Sequence, residues 1–170
     1  MAPAVGETDG KKPADLKEEI RQNLPFRSKG HEAYLSLLRT ADMARHRFAV
    51  VIEGGGVTLQ QYNVLRILRG EGKPMPCLEV ADRMIQVVPA ITGLIDRLEK
   101  QELVGRERCT EDRRVVYIEI TKKALALLNR MDEPVNELHK QLVGHLTRSE
   151  LKELGRLLEK ARTSLQRIED

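Results

Sequence analysis

The segment DRRVVYIEIT, residues 112–121, contains the pattern that decides the fold. It begins with a turn-forming acidic residue and two arginines, and it continues over 115–120 as a β-branched and aromatic run typical of a strand. A second short run, residues 103–108, passes from apolar to basic just before it. The two runs predict a β-hairpin over about 103–120 with a charged tip.

Helical patterns precede this hairpin. Thr58 followed by Gln61 forms a capping box that opens a helix, Gly54, Gly55 and Gly56 stop the helix before it, and 70–74 is expected to be a loop. Apolar spacings predict helices at about 31–53, 58–69, 78–84 and 88–100. The residues expected to face the core in the last three are Leu59, Tyr62, Leu65, Leu68, Leu78, Ala81, Ile85, Ile91, Leu94, Ile95 and Leu98. Two short helices followed by a hairpin indicate a winged helix-turn-helix, which places one helix in the DNA major groove.

The helix predicted over 88–100 leaves small and polar residues opposite its apolar face. Small residues near its start let a helix lie close to base edges, and Pro89 suits a first helical turn. Thr92 is suited to a base edge, a phosphate or a thymine methyl group, and Arg97 to a guanine or the backbone. The candidate DNA-reading residues are Pro89, Ala90, Thr92, Gly93 and Arg97.

The hairpin tip mixes arginines with acids. Its candidate DNA contacts are Arg106, Arg108, Arg113 and Arg114, beside Glu107, Glu111 and Asp112. A structural pairing of Asp112 with Arg114 across the turn would leave Arg113 free to enter a narrow minor groove. The alternative is a solvated loop whose internal ion pairs contribute little.

The chain after Thr121 is expected to be helical. An apolar stripe with a kink at Pro134 comes first, made of Leu125, Leu128, Val135, Leu138 and Leu142. A second capping box, Thr147 to Glu150, precedes an apolar seam that suits another helix or a second subunit. The seam consists of Leu151, Leu154, Leu158, Ala161, Leu165 and Ile168.

The fold class is therefore mainly α with a small β-hairpin (α+β). We expect a flexible N-terminal arm over 1–28, an N-terminal helix of a dimerisation region over 29–56, a winged helix-turn-helix domain over 57–120 and C-terminal dimerisation helices over 121–170. Aromatic residues are only 3% of the 170 residues, which argues against single-strand binding. The net charge of +3 does not by itself indicate nucleic-acid binding, so the placement of basic residues matters more.

Composition and motifs exclude several other classes. The lack of any apolar run of about 20 residues, and of an apolar signal region at the N-terminus, predicts no membrane span and a cytoplasmic location. Histidine and cysteine spacings predict no metal site, and no catalytic arrangement or cofactor motif stands out, so an enzyme is not expected. Cys77 and Cys109 suit a reducing compartment, and oxidant sensing by either stays open.

Residues 78–121 resemble the DNA-binding domain of the MarR family of bacterial transcriptional regulators. The family's wing signature, D-x-R, five residues and Leu-Thr, stands here as Asp112, Arg113 and Arg114 followed after five residues by Ile120-Thr121. Residues 91–114 resemble the family's recognition helix and first wing strand. Residues 58–68 resemble the family's helix before that pair. The resemblance covers about 31–170. Many members carry Arg where Gly93 stands and Gly where Ala124 stands.

The resemblance implies a homodimer, usually a repressor, on a pseudo-palindromic operator in duplex DNA. A small aromatic, phenolic or lipophilic anion, or oxidation, would release it. The implied pocket lies between the first helix, the winged-helix domain and the helix after Thr121, with Arg39, Arg45, His46 and Arg47 as basic groups of the first helix. The alternative function is a winged-helix protein-interaction module without DNA binding. Duplex binding that weakens steeply with salt distinguishes the two.

Overall fold

The computed structural model describes residues 15–86, 88–112 and 114–166. They form a mainly helical chain with one small antiparallel sheet, as the sequence predicts. Two compact units divide the chain, one ending at Ala44 and the other beginning at Arg45. In chain order the described elements are α1 (Leu16–Glu19), α2 (Lys29–Glu53), α3 (Leu59–Glu71), β1 (Met75–Pro76), α4 (Cys77–Asp82), α5 (Ile91–Lys100), β2 (Val104–Arg108), β3 (Val116–Ile120), α6 (Lys122–Val143) and α7 (Arg148–Gln166).

The first unit contains a short helix that the sequence analysis did not predict. Asp15 caps α1 by accepting a hydrogen bond from the Glu18 backbone N–H at 2.9 Å. Arg39 of α2 then donates from Nε to Glu19 Oε1 at 2.8 Å, which links the two helices. The expected flexible arm, 1–28, therefore includes an ordered helix in its described part. Residues 1–14 lie outside the described residues.

Helix α3 begins where the capping box predicts. Thr58 Oγ1 accepts from the Gln61 N–H at 3.3 Å, while Gln61 Oε1 accepts from the Thr58 N–H at 2.9 Å. The helix continues through Gly70, which was expected in a loop, because a single glycine costs a helix only about 1 kcal/mol. It ends where Gly72 adopts the left-handed conformation at φ 73° and donates to the Leu68 carbonyl.

The sheet has β3 at its centre, antiparallel to both neighbours in the order β1-β3-β2. The predicted hairpin is confirmed, with Val104 opposite Ile120 and Arg108 opposite Val116. Strand β1, which pairs Met75 with Ile118, was not predicted. It has only two residues, and its Pro76 lacks a backbone N–H, so it belongs to the kind of edge strand that leaves no periodic pattern.

The core of the second unit lies between α3, α4, α5, the sheet and α6. Ile118 of the central strand is fully buried, and most of the other fully buried side chains come from the three helices before the hairpin. The largest fully buried side chains are Ile52, Val64, Leu65, Leu68, Met75, Val80, Leu94, Ile95, Leu98, Ile118 and Leu128. The predicted inward face of the recognition helix is thus confirmed.

The prediction that Leu78 and Ile85, in and after α4, face the core was wrong. Leu78 is 76% exposed and Ile85 is 78% exposed, whereas Val80 is fully buried. Helix α4 is only six residues long and ends at Asp82, so Ile85 follows it in a turn and does not share its inward face. Ala81 does pack against the core, as predicted.

Helix α6 runs through Pro134 to Val143 and buries one face against α3. Its buried residues are Ala124, Leu127, Leu128, Met131 and Val135, so the predicted stripe is only partly correct: Leu142 is 38% exposed. Arg69 of α3 reinforces this contact through two hydrogen bonds to the Asp132 carboxylate, at 2.8 and 2.9 Å. The second capping box is confirmed, because Thr147 and Glu150 bond reciprocally at the start of α7.

Candidate nucleic-acid interface

Helix α5 presents one apolar face to the core and one face to solvent. Ile91, Leu94, Ile95 and Leu98 are buried, while Thr92 and Arg97 are exposed. The sequence predicts Pro89 in the first turn of this helix. The helix begins only at Ile91, so Pro89 lies in the turn before it. The reason is local: Ala90, the N-cap residue, has backbone angles that are not helical (φ −132°, ψ 63°).

The start of this helix is small and open. Pro89 and Ala90 are exposed, and Ala90 makes no side-chain capping bond. A Cβ added at Gly93 would meet no atom within 4 Å, so a larger side chain has room there. Pro89, Ala90, Thr92 and Gly93 therefore lie together at the start of the helix, and Arg97 lies farther along its exposed face.

The hairpin tip is organised by Asp112. Its Oδ1 accepts a hydrogen bond from the Arg114 backbone N–H at 2.9 Å, and its carbonyl accepts from the Val115 N–H at 3.0 Å. The expected contact between Asp112 and the Arg114 guanidinium is not among the ion pairs of the described residues. Aspartate in a turn commonly accepts a hydrogen bond from the backbone N–H two residues later, as Asp112 does here. This bond does not involve the side chain of Arg114.

Arginines of the wing fall into two groups. Arg108 and Arg114 are exposed, and neither side chain bonds to another described residue. Arg113 lies outside the described residues, so its contact with DNA stays a prediction. Exposed guanidinium groups at a hairpin tip are available to phosphate or to a narrow minor groove.

Arg106 behaves differently, because it ties the hairpin to helix α5. Its guanidinium pairs with the Asp96 carboxylate, lies 3.4 Å from Glu99 Oε2 and donates to the Thr92 carbonyl at 3.3 Å. The sequence analysis placed Arg106 only among DNA contacts and missed this tie. The available signal was the pair of acids three apart on one face of the helix, at Asp96 and Glu99.

Cys77 lies beside this ion-pair cluster at the start of α4. Burial raises the pKa of its thiol, an effect that the positive charge of Arg106 opposes and the negative charge of Asp96 reinforces. A thiol with a raised pKa is less ionised at neutral pH, which disfavours fast oxidation. Cys109 lies in the hairpin, where its backbone N–H bonds to the Val115 carbonyl at 3.0 Å.

A cleft of about 760 Å³ lies next to the recognition helix. Its wall includes Arg97 and Lys100 of α5, Arg45 and Glu53 of α2, and apolar groups such as Leu59 of α3. Three cations and one acid give it a net charge of +2. The cleft has the size of a small-molecule site.

Helix α7 exposes the predicted seam. Leu151 is 38% exposed, Leu154 41% and Leu165 63%, and none of the helix's described residues is buried. Leu158 is half-buried and Ala161 exposed, while Ile168 lies outside the described residues. An exposed apolar stripe of this kind is typical of an interface.

Comparison with known proteins places this architecture in a family. The model of the MarR family matches residues 57–116. The homoprotocatechuate degradative operon repressor of Escherichia coli is 31% identical over 125 residues, which is 74% of this chain and 84% of the relative. The chain belongs to the MarR family. It is therefore a DNA-binding regulator of transcription, and the family is one of regulators and not of enzymes.

Solved MarR structures share the fold. A MarR transcription factor from Planctomyces limnophilus is 43% identical, with a TM-score of 0.62 over 79% of this chain and 98% of that one. BpsR of Bordetella bronchiseptica, whose DNA binding is regulated by 6-hydroxynicotinic acid, is 24% identical, with a TM-score of 0.68 over 80% and 94% of the two chains. None of the described helices is long and apolar enough to cross a bilayer.

We predict that Arg106→Ala lowers the free energy of unfolding by about 1 kcal/mol, a modest value because both acids are partly exposed. Urea denaturation measures it. Arg108→Ala is the matched control on the same strand, and its effect should stay within about 0.5 kcal/mol, since its exposed side chain makes no hydrogen bond or ion pair with another described residue. Equal effects of the two substitutions would contradict the structural role of Arg106.

Proposed function

We propose that this MarR protein represses transcription by binding, as a homodimer, an operator of inverted-repeat sequence. Helix α5 enters the major groove and the hairpin lies in the adjacent minor groove. The observation that carries the proposal is the Arg106 tie, because it joins the exposed edge of α5 to the exposed arginines of the wing as one unit. The relative from Escherichia coli is itself the repressor of an operon.

Each candidate residue has a distinct place in this proposal. Pro89, Ala90, Thr92 and Gly93 approach base edges, and Arg97 contacts a guanine or a phosphate. Arg108, Arg113 and Arg114 contact the minor groove or its phosphates, and Asp112 holds the turn between them. Arg106 acts mainly by positioning the wing against α5. Because the target is chromosomal DNA, we place the protein in the cytoplasm.

Selection from random duplexes tests the proposal, and we predict that it enriches an inverted repeat. Its half-sites should be about 34 Å apart, one turn of DNA. Arg113→Ala should then reduce affinity for that duplex by about 1–3 kcal/mol if it reads a base, or lower the salt slope by about one if it contacts a phosphate. Fluorescence anisotropy at several salt concentrations measures both.

The matched control for this experiment is Arg130→Ala, which removes the same charge from an exposed position on α6. It should leave affinity and salt slope unchanged. Recovery of no enriched sequence at moderate salt would contradict DNA-specific binding and favour a protein-interaction module. If Arg113→Ala left both the affinity and the salt slope unaltered, the result would contradict the placement of the wing in the DNA interface.

Dimerisation is proposed to use the helices outside the winged-helix domain, about 31–53 and 121–170. Tyr34, Leu37 and Leu38 of α2 are exposed, as are most described residues of the α7 seam. A dimer that covers these apolar groups would bury more than about 2,000 Å², as obligate interfaces do. One half-site alone would give too little affinity, so the dimer is required for operator binding.

We predict that joint replacement of Leu154 and Leu158 by Asp yields a monomer with little operator affinity. Charged groups on the seam oppose its burial against a second copy. Light scattering measures the mass, and circular dichroism checks that the helices persist. Lys152→Asp with Lys160→Asp is the control, since it adds two aspartates to the same helix outside the seam and should preserve the dimer. A folded wild-type monomer at micromolar concentration would contradict the proposal.

The cleft beside α5 is the proposed effector site. Its net positive charge and apolar groups suit a small aromatic acid. Arg97 belongs both to this cleft and to the proposed DNA-reading edge, so a bound acid would compete with DNA for the same guanidinium. BpsR, whose DNA binding responds to 6-hydroxynicotinic acid, illustrates such control in a protein of the same fold.

We predict that an aromatic acid lowers operator affinity and that Lys100→Gln weakens this effect. Lys100 lines the cleft at the end of α5 but is not one of the proposed DNA contacts, so affinity without acid should stay unchanged. Anisotropy titrations with and without homoprotocatechuate or 6-hydroxynicotinic acid make the comparison. An acid that releases Lys100→Gln and wild-type protein equally well would place the effector site elsewhere.

A further inference from the structure

The leading edge of the recognition helix carries no charge. From Met84 to Ile95 the sequence MIQVVPAITGLI contains no Asp, Glu, Lys or Arg, and its polar side chains are Gln86 and Thr92. Gln86 lines the cleft beside Arg97. Within the first turn of α5, residues 91–94, Thr92 is the only polar side chain.

The groups that are exposed along this edge are apolar or small. Ile85 is 78% exposed in the turn before α5, and Pro89 and Ala90 are exposed between that turn and Thr92. An exposed aliphatic side chain at this place is available to an apolar group on DNA that covers the edge.

Gly93 adds an independent observation. The space around it would accept a Cβ without contact within 4 Å, and the residue lies inside a regular helix. Neither packing nor backbone conformation therefore requires glycine, and glycine weakens a helix. A position that is free to carry a side chain but lacks one lets the backbone approach a ligand closely.

The major groove offers one apolar group, the 5-methyl group of thymine. Discrimination of guanine or adenine uses the bidentate side chains Arg, Lys, Asn and Gln. On this surface Arg106 is engaged with Asp96, and Arg97 lies five residues after Thr92, in the cleft wall. The start of α5 thus has the chemistry for methyl groups and lacks the chemistry for purine edges.

We infer that the leading edge of α5, with Ala90 and Thr92 as its central contacts, selects operator half-sites by the methyl groups of thymine. The inference rests on the proposed DNA-binding function and specifies the base that this function recognises. Specificity at these positions comes from methyl contact and close approach, while Arg97 and the wing arginines contribute affinity from the flanks.

The decisive experiment removes one methyl group at a time from the DNA. In the operator selected with the full-length protein, each thymine is replaced by deoxyuridine, which keeps every hydrogen-bonding group. Replacement at a contacted position should weaken binding about fourfold, the value of one buried methylene-sized group, and about sixteenfold when both half-sites are changed together. Thymines outside the half-sites serve as controls and should tolerate replacement.

Two variants of Thr92 assign the contact to this helix. Thr92→Ser removes the side-chain methyl and keeps the hydroxyl, so the preference for thymine over deoxyuridine should fall at one position of each half-site. Thr92→Val keeps the methyl and should retain that preference. A third variant, Gly93→Arg, fits the open space and should bring guanine into the sequences that selection recovers.

The possible outcomes distinguish failure of this inference from failure of the proposed DNA-binding function. No enriched sequence would overturn the proposed function and the inference together. An enriched operator that binds equally well with deoxyuridine throughout would overturn the inference alone. The inference would be established if deoxyuridine at specific thymines weakens binding of the wild-type and Thr92→Val proteins but not of the Thr92→Ser protein. The measurements on wild-type protein remain valid even if a variant fails to fold.

Discussion

The burial of one face of helix α5 is the constraint on which the rest of this structure depends. Leu94, Ile95 and Leu98 are fully buried against the neighbouring helices and the sheet. Their spacing of one, three and four residues fixes the rotation of the helix about its axis, because only one rotation puts all of them inside. Thr92, Gly93 and Arg97 then lie on the side of the helix away from the core. The proposed DNA-reading edge is thus a consequence of core packing, and a change of core register would remove it.

Arg106 extends this constraint from the helix to the wing. Strand β1 pairs with β3 only at Ile118 and Tyr117, so toward the tip the hairpin has two strands, which need an anchor to hold a fixed position. The guanidinium supplies one by bonding to two acids and one carbonyl of α5. Among the wing arginines described, the innermost is thus structural, and those nearer the tip, Arg108 and Arg114, remain exposed. Arginine thus has two roles in the wing: near the core it positions the hairpin, and nearer the tip it is available to bind DNA.

The features that sequence predicted are those whose causes are local. Capping boxes at Thr58 and Thr147, the hairpin and the apolar face of α5 follow from residues a few positions apart. Strand β1, the exposure of Ile85 and the pairing of Arg106 depend instead on which distant segments meet. Strand β1 forms only because β3 offers it a partner, and the Arg106 contact joins residues 10 apart in the chain. Side-chain type alone does not separate a DNA-binding arginine from one that pairs within the protein.

The shared position of Arg97 defines how an effector would act on DNA binding. A ligand shifts an equilibrium only by its difference in affinity between two states, whatever its total affinity. A hundredfold loss of operator binding requires a coupling of about 2.7 kcal/mol. A cleft remote from α5 would need a conformational change to transmit that energy. A cleft whose wall contains Arg97 and Lys100 would need a smaller change, because the proposed effector would interact with a cation that is also a proposed DNA contact. An arginine–base contact contributes about 1–3 kcal/mol. Direct competition for the Arg97 guanidinium would therefore supply a coupling of the required size if Arg97 makes the proposed contact.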